Sequence, residues 1–299
     1  MDERQLVERI RRRSGSAPGL VLGIGDDAAV YHPRAGDDLV FTTDMLIEDV
    51  HFRRATHPPA AVGHKALARG LSDIAAMGAT PRFCLVSLAL APGCDTRWVD
   101  GFYRGLMRLA ARFGTALAGG DLSHADTIAC DIVVCGSVAR GRALRRDTAR
   151  PGDALYVSGM LGGSALGLST GKGRAWKRHL MPEPRVALGR WLLERRIATA
   201  AMDLTDGLSL DLQRLCAASG VAAVLPDPPP VYPGATLHQA LHGGEDYELL
   251  FTARPRTRLP DEWQGLALTR IGAVVQGPPG RVTLGGSPLP ALGYDHFRL

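Results

Sequence analysis

Carboxylates recur in this chain on short segments rich in glycine and hydroxyl residues: Gly25-Asp26-Asp27, Thr42-Thr43-Asp44, Ser72-Asp73, Gly119-Gly120-Asp121, Asp203-Leu204-Thr205-Asp206 and Gly243-Gly244-Glu245-Asp246. Oxygen ligands on tight turns, close enough to share ions and phosphates, are what a hard divalent cation requires. The chain carries a formal net charge of +5, so this local acidity is not a composition effect. The segments read as a dispersed site for several Mg²⁺ ions and a nucleotide.

Each segment limits the chemistry further. Gly23-Ile24-Gly25-Asp26-Asp27-Ala28 has the glycine spacing of a dinucleotide fingerprint. That fingerprint works because bare backbone N–H groups and a helix N-terminus receive a pyrophosphate. Two carboxylates on the turn would repel an anion unless a cation lay between, and the residues that follow are strand-like. Asp44 follows Phe41-Thr42-Thr43, so hydroxyls and carboxylate are expected to emerge together at a strand end. Asp73 falls late in an apolar helix, where a buried carboxylate needs a cation or strong donors; a salt bridge to Lys65 or Arg69 and a ligand role both satisfy it. Asp121 is expected to end a strand after two glycines that allow close approach to backbone. Asp203-Leu204-Thr205-Asp206-Gly207 fails the register of a calcium loop, whose glycine stands at position 6, but two carboxylates and a hydroxyl on one turn suit Mg²⁺. Gly171-Lys172 lacks the other residues of a Walker loop, and the protein-kinase motifs are absent. The glycine-rich turn Gly159–Gly163 reads equally as a phosphate cradle or as tight strand–helix packing.

The elements that must position these groups follow from periodicity and turn chemistry. Residues 3–13 and 60–77 have helical spacing, the latter ending at Gly78 ahead of Pro81. Strands are expected at Ala28–Tyr31, Leu39–Thr43, Phe83–Leu90, Ala116–Ala118 and Thr127–Val138, with a helix over Trp98–Phe113. Arg150-Pro151-Gly152-Asp153 is a turn, and a second strand–turn–helix unit begins at Ala154. Helices around Pro184–Arg195 and Ser209–Ser219, a strand over Tyr247–Thr252 and a Pro-rich loop at Pro226–Pro233 complete it. The chain is thus expected to divide near residues 145–152 into residues 1–148 and 149–299. At 299 residues it is long enough for two α/β domains with real cores.

Composition excludes several classes. The chain is 45% hydrophobic and 22% charged, as in ordinary globular proteins. Its basic residues are scattered, which favours attraction of phosphorylated small molecules over a nucleic-acid groove. The five cysteines form no Cys-x-x-Cys pair, and Cys84, Cys130 and Cys135 sit in apolar runs as expected buried thiols. No apolar leader or membrane-length run is present, so a cytoplasmic location without a membrane partner is expected.

The joint order of the motifs is more specific than any one of them. Gly-Ile-Gly-Asp-Asp-Ala from Gly23, Thr-Thr-Asp-Met-Leu from Thr42, the run Lys65 to Ala79 with Leu-Ser-Asp-Ile-Ala-Ala-Met-Gly, Gly119-Gly120-Asp121, Gly141-Arg142-Ala143-Leu144, Asp-Leu-Thr-Asp-Gly-Leu from Asp203, Gly-Gly-Glu-Asp-Tyr-Glu-Leu from Gly243 and Gly-Tyr-Asp-His-Phe from Gly293 resemble the thiamine-monophosphate kinase family over nearly the whole chain. That family belongs with aminoimidazole ribonucleotide synthetase and selenophosphate synthetase. The resemblance implies a two-domain α/β (α+β) protein whose N-terminal mixed sheet dimerises into a barrel-like interface. It implies ATP and Mg²⁺ bridging the domains and thiamine monophosphate as substrate. Carried over by motif, Asp27, Thr42, Thr43, Asp44, Asp73, Asp121, Asp203 and Asp206 form the metal shell. Tyr103, Gly120, Asp121, Arg146 and Thr205 contact the nucleotide, and His51 and Glu245 contact the thiamine phosphate.

The implied reaction is ATP-dependent phosphorylation of thiamine monophosphate to the diphosphate. A phosphate monoester has a second pKa of about 6, so the acceptor is mostly dianionic at neutral pH and needs no general base. One departure stands out. The family's aromatic residue ahead of Gly-Tyr-Asp-His-Phe is replaced by Ala291-Leu292, so either Tyr294 or Phe297 meets the substrate ring or the ring stacking is weaker. An aminoimidazole ribonucleotide synthetase-like enzyme and a catalytically silent nucleotide-binding partner protein are the alternative readings. Selenophosphate synthetase is disfavoured, because no cysteine precedes Gly23.

Overall fold

The structure is a computed structural model that describes residues 3–294 and His296; Phe297 lies outside the described residues. The chain forms two compact units. One comprises the residues up to Ile74 together with Ala79–Gly141, and the other comprises Ala75–Gly78 and the residues from Arg142 onward.

The first unit holds α1 (Glu3–Arg11), β1 (Leu20–Leu22), β2 (Val30–Tyr31), β3 (Asp37–Ile47), most of α2 (Pro59–Ala76), β4 (Thr80–Leu90), α3 (Thr96–Arg112), β5 (Ala116–His124) and β6 (Ala129–Ala139). Four strands make one sheet in the order β3-β6-β4-β5, with β6 antiparallel to both neighbours and β4 parallel to β5. The parallel pair is joined by α3, the crossover that parallel strands require. Asp95 starts that helix, its side chain accepting from the Trp98 N–H at 2.9 Å, and satisfies a donor otherwise left over at the helix start. Helix α2 covers one sheet face: a Cβ on Gly70 would lie 2.5 Å from Val134 Cγ2 and 3.6 Å from Thr42 Cγ2. On the other face β1 and β2 bring Leu20 and Tyr31 against Phe83, Ala116 and Cys135. Phe41 and Met45 on β3 stay 59% and 52% exposed.

Two local expectations are corrected here. The strand over Leu39–Thr43 does not end there but runs to Ile47, paired with β6 along its length. Alternation along a strand then separates neighbours, so Thr42 and Thr43 point to opposite faces. Likewise Gly119-Gly120-Asp121 is not a turn; it lies within β5, where the register against β4 shifts between Cys84 and Leu85. Gly120 carries φ 155, and a Cβ there would lie 2.0 Å from Val86 O. The glycines permit a bulge inside a continuing strand.

The second unit comprises β7 (Ala154–Ser158), α4 (Gly163–Thr170), α5 (Gly173–Leu180), α6 (Val186–Glu194), β8 (Ala198–Asp203), α7 (Leu208–Ser219), β9 (Ala222–Leu225), α8 (Leu237–His242), β10 (Leu249–Ala253), β11 (Glu262–Trp263), β12 (Leu266–Val275), β13 (Val282–Leu284) and β14 (Ser287–Pro288). Its sheet runs β14-β13-β9-β12-β7-β10-β8, with β11 paired to β12. Leu155, Val157, Leu250 and Met202 of the central strands pack with Leu208, Leu212 and Leu215 of α7 into one core. The free cysteines Cys84, Cys130, Cys135 and Cys216 are buried. Among the described residues no helix is long and apolar enough to cross a membrane.

Candidate active site

In the first unit the site is built on β3 and α2. Asp44 accepts from Arg69 Nη2 of α2 at 3.2 Å, and Thr42 on the same sheet face donates its hydroxyl to Asp73 Oδ2. Burial pushes the Asp44 carboxyl up to about 6; Arg69 opposes the rise, while Asp73 and Asp131 add to it. Like charges gathered in a half-buried place are what a cation would neutralise. Thr43 stands apart, its hydroxyl donating to Asp131 Oδ1 at 2.7 Å on the opposite face. Asp131 was not legible in the sequence, because its partner is fixed only by the β3–β6 register.

His51 sits in the turn after β3, where Asp49 has φ 65. The Ile47 N–H donates to His51 Nδ1 at 3.0 Å, and Lys65 Nζ donates to the His51 carbonyl at 3.4 Å. An Nδ1 that accepts a backbone proton leaves Nε2 as the protonated nitrogen of the neutral ring, a hydrogen-bond donor. Asp27 is exposed, its N–H held by the Asp26 side chain at 2.8 Å. Asp121 is exposed on β5. Along the sheet Asp121 pairs with Ser87, Ser87 with Asp131, and Asp131 with Met45, so Asp121 stands three strand spacings, about 14 Å, from β3 and shares the sheet face of Thr43 and Asp131, opposite Asp44. Tyr103 is 3% exposed with its ring edge-on to Phe102, a placement that favours packing over contact with a nucleotide.

In the second unit Asp203 ends β8, 4% exposed, opposite Leu249 of β10. Thr205 and Asp206 follow on a turn, and Asp206 forms an ion pair with Arg214. Arg146 is exposed, and its carbonyl accepts from Ser219 Oγ at 2.8 Å.

The Gly243–Asp246 segment is strained: Glu245 has φ 64 and Tyr247 φ 51, conformations that cost energy for residues with side chains. Glu245 lies 3.3 Å from His179 Nδ1, which also meets Ser164 Oγ at 2.9 Å. Asp246 accepts from the Gly162 and Ser164 N–H groups at 2.6 and 3.1 Å. The chain's own carboxylate thus occupies the N-terminus of α4, which settles the Gly159–Gly163 turn as packing rather than a phosphate cradle. Glu248 is fully buried and receives Ser158 Oγ, Arg178 Nη2 at 2.8 Å and Arg185 Nε at 2.7 Å. Its strand-like, apolar surroundings in the sequence were the available signal, since a carboxylate placed there must find donors.

Asp246 has a testable pH signature. Burial pushes its carboxyl up to about 6, against the opposing pull of Arg178 and the two N–H groups. A carboxyl raised above its unfolded value contributes stability fully present below about pH 4 and lost as pH rises through about 6. Thermal melts should therefore show the wild type gaining on Asp246→Asn as pH falls from 7 to 5. A difference that does not change with pH would refute this.

The donors placed here are oxygens, which suits Mg²⁺ and not a thiophilic metal. Among the described residues no three His, Cys, Asp or Glu side chains stand close enough to hold an ion by themselves. Mg²⁺ is commonly bound by one or two carboxylates plus substrate phosphates, so the residues present fit it.

Mixed α/β units with paired acidic segments define the class. Residues 25–138 match the family model for AIR synthase related protein, N-terminal domain. The chain is 35% identical to the thiamine-monophosphate kinase of Bacillus subtilis (strain 168), with 100% of each chain covered. It is also similar to the crystal structure of thiamine-monophosphate kinase from Stenotrophomonas maltophilia K279a, with a TM-score of 0.85, 38% identity and 96% of this chain and 98% of that chain covered. Against AaThiL complexed with AMPPCP and TMP the TM-score is 0.80 at 32% identity, covering 99% of this chain and 97% of that one. The chain belongs to the thiamine-monophosphate kinase family, and is an enzyme of the kinase class.

Proposed function

We propose that the chain transfers the γ-phosphoryl group of ATP directly to thiamine monophosphate, giving ADP and thiamine diphosphate. The observation that carries this reading is 35% identity over the full length of a thiamine-monophosphate kinase, joined to likeness with a relative complexed with AMPPCP and TMP. A phosphate oxygen of the acceptor attacks the γ-phosphorus in line as the bond to the β–γ bridging oxygen breaks. The acceptor is already mostly dianionic, so no residue need remove a proton.

In this reading Asp27, Thr42, Thr43, Asp44, Asp73, Asp121, Asp203 and Asp206 would hold Mg²⁺, with Thr42 and Asp44 on one face of the sheet and Thr43 and Asp121 on the other. Mg²⁺ held there would supply the positive charge that screens the repulsion between two anionic substrates. Gly120, Arg146 and Thr205 contact the nucleotide. His51 and Glu245 orient the acceptor. Purified protein with ATP, Mg²⁺ and thiamine monophosphate should yield thiamine diphosphate. No product, with turnover of formylglycinamidine ribonucleotide instead, would overturn the assignment.

We place the enzyme in the cytoplasm as a homodimer built on the face of the β3-β6-β4-β5 sheet opposite α2, over the part that β1 and β2 leave exposed. Phe41 and Met45, more than half exposed there, are the residues such an interface would cover. Phe41→Asp should convert a sedimenting dimer to monomer; a wild type that sediments as a monomer would contradict the proposal.

A further inference from the structure

The turn that carries Asp203, Thr205 and Asp206 is organised by a side chain outside it. Asp211, in the first turns of α7, is fully buried. Its Oδ2 accepts from the backbone N–H groups of Thr205, Asp206 and Gly207 at 3.0, 3.0 and 3.1 Å. Three consecutive N–H groups converging on one oxygen make a concave anion site, and here the chain fills it with its own carboxylate. The other oxygen accepts from Arg214 Nη1 at 3.1 Å, and the same nitrogen donates to Asp206.

With those N–H groups turned inward, the carbonyls of the turn face outward and are used. Thr205 O accepts from the Glu245 N–H at 2.7 Å, and Asp206 O accepts from the Tyr294 N–H at 2.9 Å. Both approaches are tight. A Cβ on Gly244 would lie 2.6 Å from Thr205 O, and one on Gly293 would lie 2.5 Å from Asp206 O. Two segments remote in sequence therefore hang by their backbones from one turn. One carries Glu245 and the other carries Tyr294, whose side chain is 49% exposed.

We propose that Asp211 is a positioning residue: by fixing the turn Thr205–Gly207 it sets the places of Glu245 and Tyr294, and so orders the acceptor side of the reaction. The acceptor role rests on the kinase reading; the mechanical link does not. An Asn at this position keeps one carbonyl oxygen, which cannot serve both the three N–H groups and Arg214, and it turns an amide N–H₂ toward the guanidinium.

The test is Asp211→Asn in the full chain. Amide hydrogen exchange at Glu245 and Tyr294 should accelerate by about tenfold or more, while amides of β7 and β10 keep their rates. The apparent KM for thiamine monophosphate should rise about tenfold, with the KM for ATP within about threefold of wild type. Should Asp211→Asn not fold, Asp211→Glu keeps the charge, displaces the carboxylate by one methylene, and carries the same expectations. Unchanged protection at Glu245 and Tyr294 overturns the proposal, as does an equal rise in both KM values. A wild type that makes no thiamine diphosphate overturns the assigned reaction alone; exchange then still decides whether Asp211 holds the two segments.

Discussion

Asp44→Asn should lower turnover by about a thousandfold, roughly 4 kcal/mol of transition-state stabilisation, while the fold stands. The side chain is isosteric, and β3 pairs with β6 on both sides of it, from Asp37 with Ala139 to Ile47 with Ala129. Only the charge is lost. That charge is costly to the metal-free protein: burial and the neighbouring Asp73 and Asp131 carboxylates push the Asp44 carboxyl up to about 6. A group kept at such a disadvantage at neutral pH fits a task other than stability. The neutral variant should therefore melt close to wild type, because relief of that repulsion offsets the weakened pairing with Arg69. Circular dichroism and kcat at saturating ATP decide the matter. Full activity would mean that Asp44 lies outside the metal shell, and loss of activity through unfolding would mean that its part is structural.

The largest stability effect is expected at Glu248. This carboxylate is fully buried against Ser158, Arg178 and Arg185, and the two arginine side chains are themselves only 21% and 17% exposed. Removing one member of a buried pair strands the other charges and costs about 3–5 kcal/mol. Glu248→Gln should then lower the melting temperature by about 10 °C, at roughly 2–4 °C for each kcal/mol. Burial alone would raise the Glu248 carboxyl, but Arg185, Arg178 and Ser158 together hold it below the ordinary glutamate value. A depressed carboxyl gives stability that is present above the unfolded pKa and is lost as pH falls through the folded one. The gap between wild type and Glu248→Gln should accordingly be wide at pH 7 and narrow toward pH 3. Replacing Arg185 as well should cost less than the sum of the single changes, since the charges form one network. A melting temperature within a degree or two of wild type would show that Asp246 alone suffices to balance Arg178.

Much of this architecture is legible locally. Helix α2 can be read from its apolar spacing and its stop at Gly78, and α3 from the helical pattern over Trp98–Phe113, because both signals lie within a few residues. Other features depend on partners far along the chain. The strand course of Gly119–Asp121 is set by the bulge against β4, not by the glycines themselves, which otherwise signal a turn. Helix α5 places Ala175, Trp176, His179 and Leu180 on one face, but it is only eight residues long, too short for that pattern to stand out from its charged neighbours.

The acidic residues were found in the sequence, but not what each one meets. Arg69 pairs with Asp44, a partner that reading α2 by itself could not supply. Asp211 and Arg214 could have been anticipated in part: an Asp inside the apolar run Leu208–Leu215 must find donors, and an Arg three residues on shares its helix face. That its donors are the N–H groups of the acidic turn is visible only in three dimensions.

Transfer of the γ-phosphoryl group to thiamine monophosphate is tested most closely by following, with phosphorus NMR, ATP labelled with ¹⁸O on its γ-phosphoryl oxygens in the presence of the enzyme, Mg²⁺ and thiamine monophosphate. The expected result is the label in the terminal phosphate of thiamine diphosphate, one molecule formed for each ATP consumed. Label appearing in free phosphate, with thiamine monophosphate left unchanged, would contradict it.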